Sequence, residues 1–329
     1  MPDAAKSLGA EEQYTDYWEM LEKSRIDGVI IGTPMALHVP QALAAIGKGI
    51  HVLSEVPAGV LIGECRQLTL ACRQSSAVYM MAENYVYTRT NMLVSELVRR
   101  GLFGTVYYAE GEYLHEVRKL NETTPWRRKW QTGINGITYG THSLGPILQW
   151  MAGDRVVSVC CAGSGHHYRD ANGKPYENED SCVMLCRMRS GGLVKIRVDM
   201  ISDRPCSEFN YQVQGSEGCY ESARAIGERG RIWLRQLEKG EGIWHDIASL
   251  EQEFMPESWR KSAASSMQSG HGGGDFFLLK KFVDAALGHS RAAIGIDEAM
   301  DMTLPGLVSQ QSILEGGRWI DVPDSRDWK

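Results

Sequence analysis

The stretch 27-DGVIIGTPMALHVPQALAAIGKGIHVLSEVPAG-59 decides how this chain folds. Residues 27–33 form a short β-branched run that closes on Gly32 and Thr33, as a buried parallel strand does. The segment 38–49 has helical spacing, and residues 51–56 form a second apolar strand that carries Glu55 near its end. The same alternation extends outward. A helix is predicted over 11–23, a helix over 63–75, a strand over 77–84 and a helix over 91–104. Strands separated by helices of this length predict βαβ units and a parallel sheet covered on both faces.

From Thr105 the pattern changes. The runs TVYYAEGEYL, DRVVSVCCAG, DSCVMLCRM, GGLVKIRVDM, EFNYQVQGSEG, GCYESA and RIWLRQL are strand-like and mostly joined by turn residues, which predicts one large, mostly antiparallel open sheet. Helices follow over 275–288 and over 297–317, the latter expected to break at Pro305. The expected fold is therefore α/β. An N-terminally truncated, Rossmann-like parallel sheet (residues 1–104) precedes an α+β domain (residues 105–329).

Composition narrows the function. The 329 residues suit two domains of ~150 residues each. With 35 Lys and Arg against 41 Asp and Glu, the net charge of -6 argues against a nucleic-acid partner. No run reaches the ~18 apolar residues needed to span a bilayer, and the first residues lack the apolar stretch of a signal peptide, so a cytoplasmic protein is expected. The eight cysteines form no Cys-x-x-Cys pairs, which speaks for reduced thiols and no metal site. Cys182 and Cys186 share one face of a strand and read as small packing groups.

Three groups stand just after three successive strands, where open α/β sheets bind ligands: Thr33-Pro34 with His38, Glu55-Val56-Pro57, and Glu83-Asn84. In these positions the chain resembles the Gfo/Idh/MocA oxidoreductases, the family of glucose-fructose oxidoreductase and inositol dehydrogenase. It is more closely similar to the branch containing NAD-dependent α-N-acetylgalactosaminidases. EVPAG, MMAENYVY, GLFGTVYYAEGEYLHEVR, Tyr139-Gly140-Thr141-His142 running into SLGP, and GHGGGDFF carry that likeness. The family's opening Gly-x-Gly-x-x-Gly turn, which cradles a pyrophosphate at a helix N-terminus, is absent from this sequence. The sequence starts after the first βαβ unit of the family, so weakened dinucleotide binding is expected.

The resemblance implies an oxidoreductase dependent on NAD or NADP, with NAD favoured, that acts on a sugar, sugar derivative or cyclitol. Hydride transfer from a carbinol needs a base beside the hydroxyl, and an imidazole suits that role. His142 is the expected proton acceptor, the other reading being a helix-start residue. Tyr139 is either its acid/base partner or an aromatic packing residue. By analogy Thr33, Pro34, His38, Glu55, Pro57 and Asn84 contact the cofactor. Trp126, Arg127 and Arg128 form either a stacking and phosphate-binding element, with Arg128 on the sugar, or a solvated loop. Glu110 is expected with the catalytic pair, and Tyr113, His115 and Asp199 on the substrate side. Strand alternation nevertheless puts Glu110 and Tyr113 on opposite faces.

Two alternatives remain. Val56 replaces the family's Lys and carries no proton, which points to a redox-assisted glycosidase. In such an enzyme oxidation at C3 acidifies the C2 hydrogen, Tyr139 or Glu110 removes it, the aglycone leaves C1, water adds and the hydride returns. The other alternative is a non-catalytic truncated homologue that serves as a binding or assembly partner. A homo-oligomer, dimer or tetramer, built on the open sheet is expected in each case.

Overall fold

The computed structural model describes residues 2–124, 126, 137–205, 207–225, 227–237, 242–262 and 266–329, with only the backbone of residues 2–4 and 207–209. Strands β1 (Gly28–Ile31), β2 (His51–Ser54) and β3 (Tyr79–Met81) form a parallel sheet in that order, with Gly28 opposite His51 and Val52 opposite Tyr79. The crossovers are α3 (His38–Ile46) and α4 (Ile62–Gln74). Helix α3 turns Val39, Ala42, Ala45 and Ile46 onto the sheet, its small alanines allowing close approach.

The chain opens with α1 (Pro2–Leu8), which no sequence signal announced, and α2 (Tyr17–Lys23). Helix α2 covers only the second half of the helix expected over 11–23. The Asp16 carboxylate accepts from the Glu19 amide at 2.8 Å and fixes the start there.

Helix α5 (Arg89–Arg99) leads into a nine-stranded sheet of order β11-β10-β9-β8-β4-β7-β6-β5-β12. Its long members are β4 (Val106–Leu114), β5 (Val156–Gly163), β6 (Ser181–Met188), β7 (Leu193–Asp199) and β8 (Ser207–Gly215). Shorter ones are β9 (Gly218–Glu221), β10 (Arg231–Leu234), β11 (His245–Asp246) and β12 (Ile320–Asp321), the last two too short to show in the sequence. Pairing is antiparallel except between β4 and β7. Along β6, Cys182, Met184, Cys186 and Met188 face the core, while Val183 and Arg187 face outward. The seven described cysteines are free thiols.

The inner face is covered by α7 (Thr141–Trp150), lying across β4, and by α11 (Ile296–Leu314), lying on β5; the short α6 (Arg118–Thr123) precedes α7, and the short α8 (Glu251–Phe254) and α9 (Glu257–Arg260) follow β11. Gly111 makes the first contact possible, since a Cβ there would fall 2.7 Å from the Ser143 carbonyl. The outer face carries Tyr108, Glu110, Lys195 and Arg197 and is open. Helix α11 does not break at Pro305 as expected. Buried Met302, Leu304, Leu307 and Val308 surround the proline, and that packing outweighs the ~3 kcal/mol cost of an internal proline.

The segment after Ile294 also returns to the parallel sheet. The Met81 amide donates to the Ile294 carbonyl at 2.9 Å along the outer edge of β3, and Arg73 of α4 donates to Asp297 and to the Ser325 and Trp328 carbonyls. Among the described residues no helix is long and apolar enough to cross a membrane.

Candidate active site

The turns after β1 and β2 are tied together by a buried imidazole. His38 places Nδ1 2.9 Å from the Pro57 carbonyl and Nε2 2.9 Å from the Thr33 carbonyl, and burial pushes its pKa down. Thr33 itself donates to the Gln41 side-chain oxygen at 2.6 Å. Pro34 starts the short turn that leads into α3, and Pro57 follows a cis peptide bond after Val56. His38, Thr33 and Pro57 therefore shape the strand ends through backbone carbonyls.

Glu55, between these turns, is solvent-accessible yet sits in a recess. Partial desolvation raises its pKa; His142 opposes the shift, and the neighbouring carboxylates of Glu83 and Asp275 add to it. The Glu55 side chain thus faces the same space as His142.

His142 lies in the first turn of α7, stacked on Tyr85 with ring centroids 4.2 Å apart. Its Nδ1 faces Oε1 of Glu83 at 2.8 Å, and its Nε2 faces the Tyr139 hydroxyl at 3.3 Å. Glu83 is fully buried; Oε1 also accepts from the Tyr85 amide at 3.2 Å, while Oε2 has no partner. Assigned from this network, the tautomer carries its proton on Nδ1, which leaves the Nε2 lone pair toward Tyr139 and the open side. The Tyr211 hydroxyl anchors the helix turn by donating to the His142 carbonyl at 2.6 Å. Tyr113 packs edge-on to Tyr139 and Tyr85, and its hydroxyl lies 3.1 Å from Nδ1 of His115. His142, Tyr139, Tyr113 and His115 form one cluster, which a Cβ on Gly145 would disturb by meeting Cγ of Glu83 at 2.7 Å.

A second polar group adjoins it. Asn84 donates from Nδ2 to Asp275 at 3.0 Å and lies 3.0 Å from Nδ1 of His271, while its Oδ1 is buried without a partner. His271 and Asp275 are themselves 3.0 Å apart, so the histidine braces the start of α10 (Gly274–Ala286). Among the described residues His271 is the one non-glycine with a left-handed backbone (φ 54°), a conformation that costs a histidine more than a glycine.

Several expected site residues stand elsewhere. Glu110 is not brought to His142. It accepts from Tyr108 at 2.6 Å and pairs with Lys195 on the open face, because Gly111 and Tyr113, not Glu110, face α7. Asp199 is buried and its oxygens are taken by the Ile201 and Ser202 amides, the Ser202 hydroxyl and Arg197, so it holds the turn after β7. Trp126 is half-buried, and Arg127 and Arg128 lie outside the described residues. Tyr85 and Asp275, which surround the predicted pair, were not among the expected site residues, and Glu83 was noted for its place at a strand end without a role of its own. Glu83 had one available signal, its place beside Asn84 at the end of β3.

The donor set fits a nicotinamide riboside. The accessible Glu55 carboxylate can accept from vicinal hydroxyls, and Asn84 lies beside it at the next strand end with its Oδ1 closed off from solvent. Among the described residues no group of three His, Cys, Asp or Glu side chains could hold a metal.

A three-stranded parallel sheet joined to a nine-stranded mixed sheet is the architecture of the Gfo/Idh/MocA class of oxidoreductase. Residues 1–83 match that family's NAD-binding Rossmann fold. Residues 87–328 match the C-terminal domain of glycosyl hydrolase 109, and the chain belongs to that family. It is 29% identical to a glycosyl hydrolase family 109 protein of Saccharopolyspora erythraea, covering 98% of this chain and 72% of the relative. It is 28% identical to an α-N-acetylgalactosaminidase of Shewanella oneidensis, covering 94% and 71%. Among solved structures, levoglucosan dehydrogenase with NADH and levoglucosan superposes with a TM-score of 0.83 at 18% identity, covering 98% and 87%. The myo-inositol 2-dehydrogenase of Lactobacillus plantarum does so with a TM-score of 0.74 at 17% identity, covering 97% and 87%.

Proposed function

We propose that this protein is a nicotinamide-dependent oxidoreductase that acts on a sugar or sugar derivative, with His142 taking the proton of the hydroxyl being oxidised. The supporting observation is the 2.8 Å contact between His142 Nδ1 and the buried Glu83 carboxylate, which orients the ring and leaves Nε2 to receive a proton. Bound nicotinamide would supply the hydride acceptor. Glu55 and Asn84 would hold its riboside, with NAD favoured, and Tyr139 and Tyr113 would position the sugar ring.

A second reading extends the first to a glycosidase with no net use of cofactor. Val56 in place of a proton-carrying Lys favours it, as does the Tyr139 hydroxyl beside His142 Nε2. Once C3 is a ketone the C2 hydrogen is acidic; Tyr139, acting as a phenolate after its own proton has left through His142 Nε2 to solvent, would take it as the aglycone departs from C1, and water addition and re-reduction at C3 would complete the cycle. Glu110 has no part in this step. The relative named as an α-N-acetylgalactosaminidase supports the same direction. Turnover of a nitrophenyl α-N-acetylgalactosaminide without NADH accumulation would select the glycosidase. Stoichiometric NADH from a free sugar would select the dehydrogenase, and His142→Ala with unchanged turnover would defeat both. The open sheet face, where Val183 and Leu193 are exposed, is the proposed seat of a homo-oligomer in the cytoplasm.

A further inference from the structure

At the end of α7 away from His142, a cavity of about 420 Å³ opens between the last turn of that helix, the residues entering β5, the β6–β7 hairpin and the start of α11. Gln149 on its wall stands seven residues beyond His142, roughly 10 Å along the helix axis, and none of the active-site side chains described above lines it. The volume falls within the roughly 300–1,000 Å³ of small-molecule pockets.

Four guanidinium groups line this space, those of Arg155, Arg189, Arg291 and Arg326. The sheet forces two of them together. The Arg189 amide donates to the Arg155 carbonyl at 2.9 Å, which continues the register that sets Val156 opposite Met188. Arg155 and Arg189 therefore stand directly opposed on an antiparallel pair, with both side chains on the cavity, and like charges so placed repel each other.

The carboxylates nearby do not answer both charges. Asp301 holds Arg326 bidentately at 2.9 and 2.8 Å, and Glu298 meets Arg291 at 3.1 Å. Asp154 is taken up by its own turn, accepting from the Arg155 amide at 2.8 Å and from the Ser190 amide and hydroxyl at 3.2 and 2.5 Å. Asp324, behind the wall, accepts from Arg155 Nη2 at 2.9 Å and leaves the buried Nε of that arginine without a partner. Among the described residues no carboxylate pairs with Arg189, whose Nη2 donates to the Gly153 carbonyl at 2.7 Å. The wall thus sets four cations against three anions, and its spare N–H groups belong to the two opposed arginines. A cation is repelled there, and a neutral hydroxyl leaves the Arg189 charge unanswered. A carboxylate or phosphate offers acceptor-only oxygens, two at a time, in the planar spacing of a guanidinium fork.

We propose that this cavity binds a small organic oxyanion, whose carboxylate or phosphate group bridges Arg155 and Arg189. The site is independent of the carbohydrate reading, and its test uses no turnover. Calorimetric titration of the full chain with citrate, and separately with inorganic phosphate, is run at an ionic strength held constant with sodium chloride. Saturable binding of either probe, weakened about tenfold or more in Arg189→Gln, is the expected result, and the tighter probe identifies the acidic group. Arg189 is exposed, and a glutamine there still donates to the Gly153 carbonyl, so the change spares the fold. If that variant fails to fold, Gln149→Glu decides: it adds a carboxylate to the wall from an exposed helix position and should weaken the same binding severalfold. No saturable heat with either probe would overturn the site, as would an affinity unchanged in the deciding variant, since the anion would then sit elsewhere.

Discussion

Replacing Glu83 with Gln separates a catalytic role for the Glu83–His142 pair from a structural one. When His142 takes a proton, the imidazolium forms 2.8 Å from the Glu83 carboxylate in a fully buried setting. Two unit charges with centres about 4 Å apart attract by roughly 4 kcal/mol at an effective dielectric of about 20. A glutamine keeps one acceptor for the Nδ1 proton but no charge, so most of that stabilisation disappears, and kcat/KM should fall about 10²–10³-fold. Folding responds differently. Oε2 of Glu83 is buried without a partner; in glutamine that position takes the amide nitrogen, whose unpaired N–H groups offset the desolvation cost removed with the charge, so the unfolding midpoint should change little. Steady-state turnover and thermal unfolding on the same samples test both halves. Activity within threefold of the parent would refute the assignment of Glu83 as the orienting group, and a collapse of stability along with activity would make its role architectural.

Gly111→Ala forces a Cβ to within 2.7 Å of the Ser143 carbonyl, so α7 must shift; we expect about 1–3 kcal/mol of destabilisation by denaturant titration together with loss of turnover. Tyr211→Phe removes the 2.6 Å bond to the His142 carbonyl and leaves that carbonyl buried, which should cost about 1–3 kcal/mol. For Glu55 the folded protein favours the neutral acid, so the ionised residue opposes folding increasingly as pH rises above the ordinary glutamate range. Glu55→Gln should therefore gain midpoint over the parent between pH 4 and 7 while weakening NADH binding measured by fluorescence. A gain at acid pH alone would contradict the sign.

The parallel sheet was legible because each of its strands is a short apolar run closed by a turn residue, a signal held within a few positions. The His142–Tyr139 pair was legible for the same reason, being three residues apart at a helix start. Glu83 was not, because its partner lies 59 residues away and a carboxylate after a strand looks the same whether solvated or buried. Glu110 illustrates the reverse. Alternation along β4 already put it opposite Tyr113, and the side facing α7 was fixed only by Gly111 meeting Ser143. At Pro305 a local rule yielded to packing, since the apolar spacing on both sides continues through the proline.

The bond from Met81 to Ile294 joins positions 213 residues apart. At the roughly 5–20 residues per second of protein synthesis, β3 waits about 10–40 s on the ribosome before its outer neighbour exists. Arg73 waits longer for Ser325 and Trp328. Contacts of such separation close late and slowly, so the parallel sheet, made first, is completed last. During that interval the apolar edge at Tyr79–Met81 lacks the neighbour that covers it in the finished fold, and an unpaired strand edge is a template for pairing with other chains.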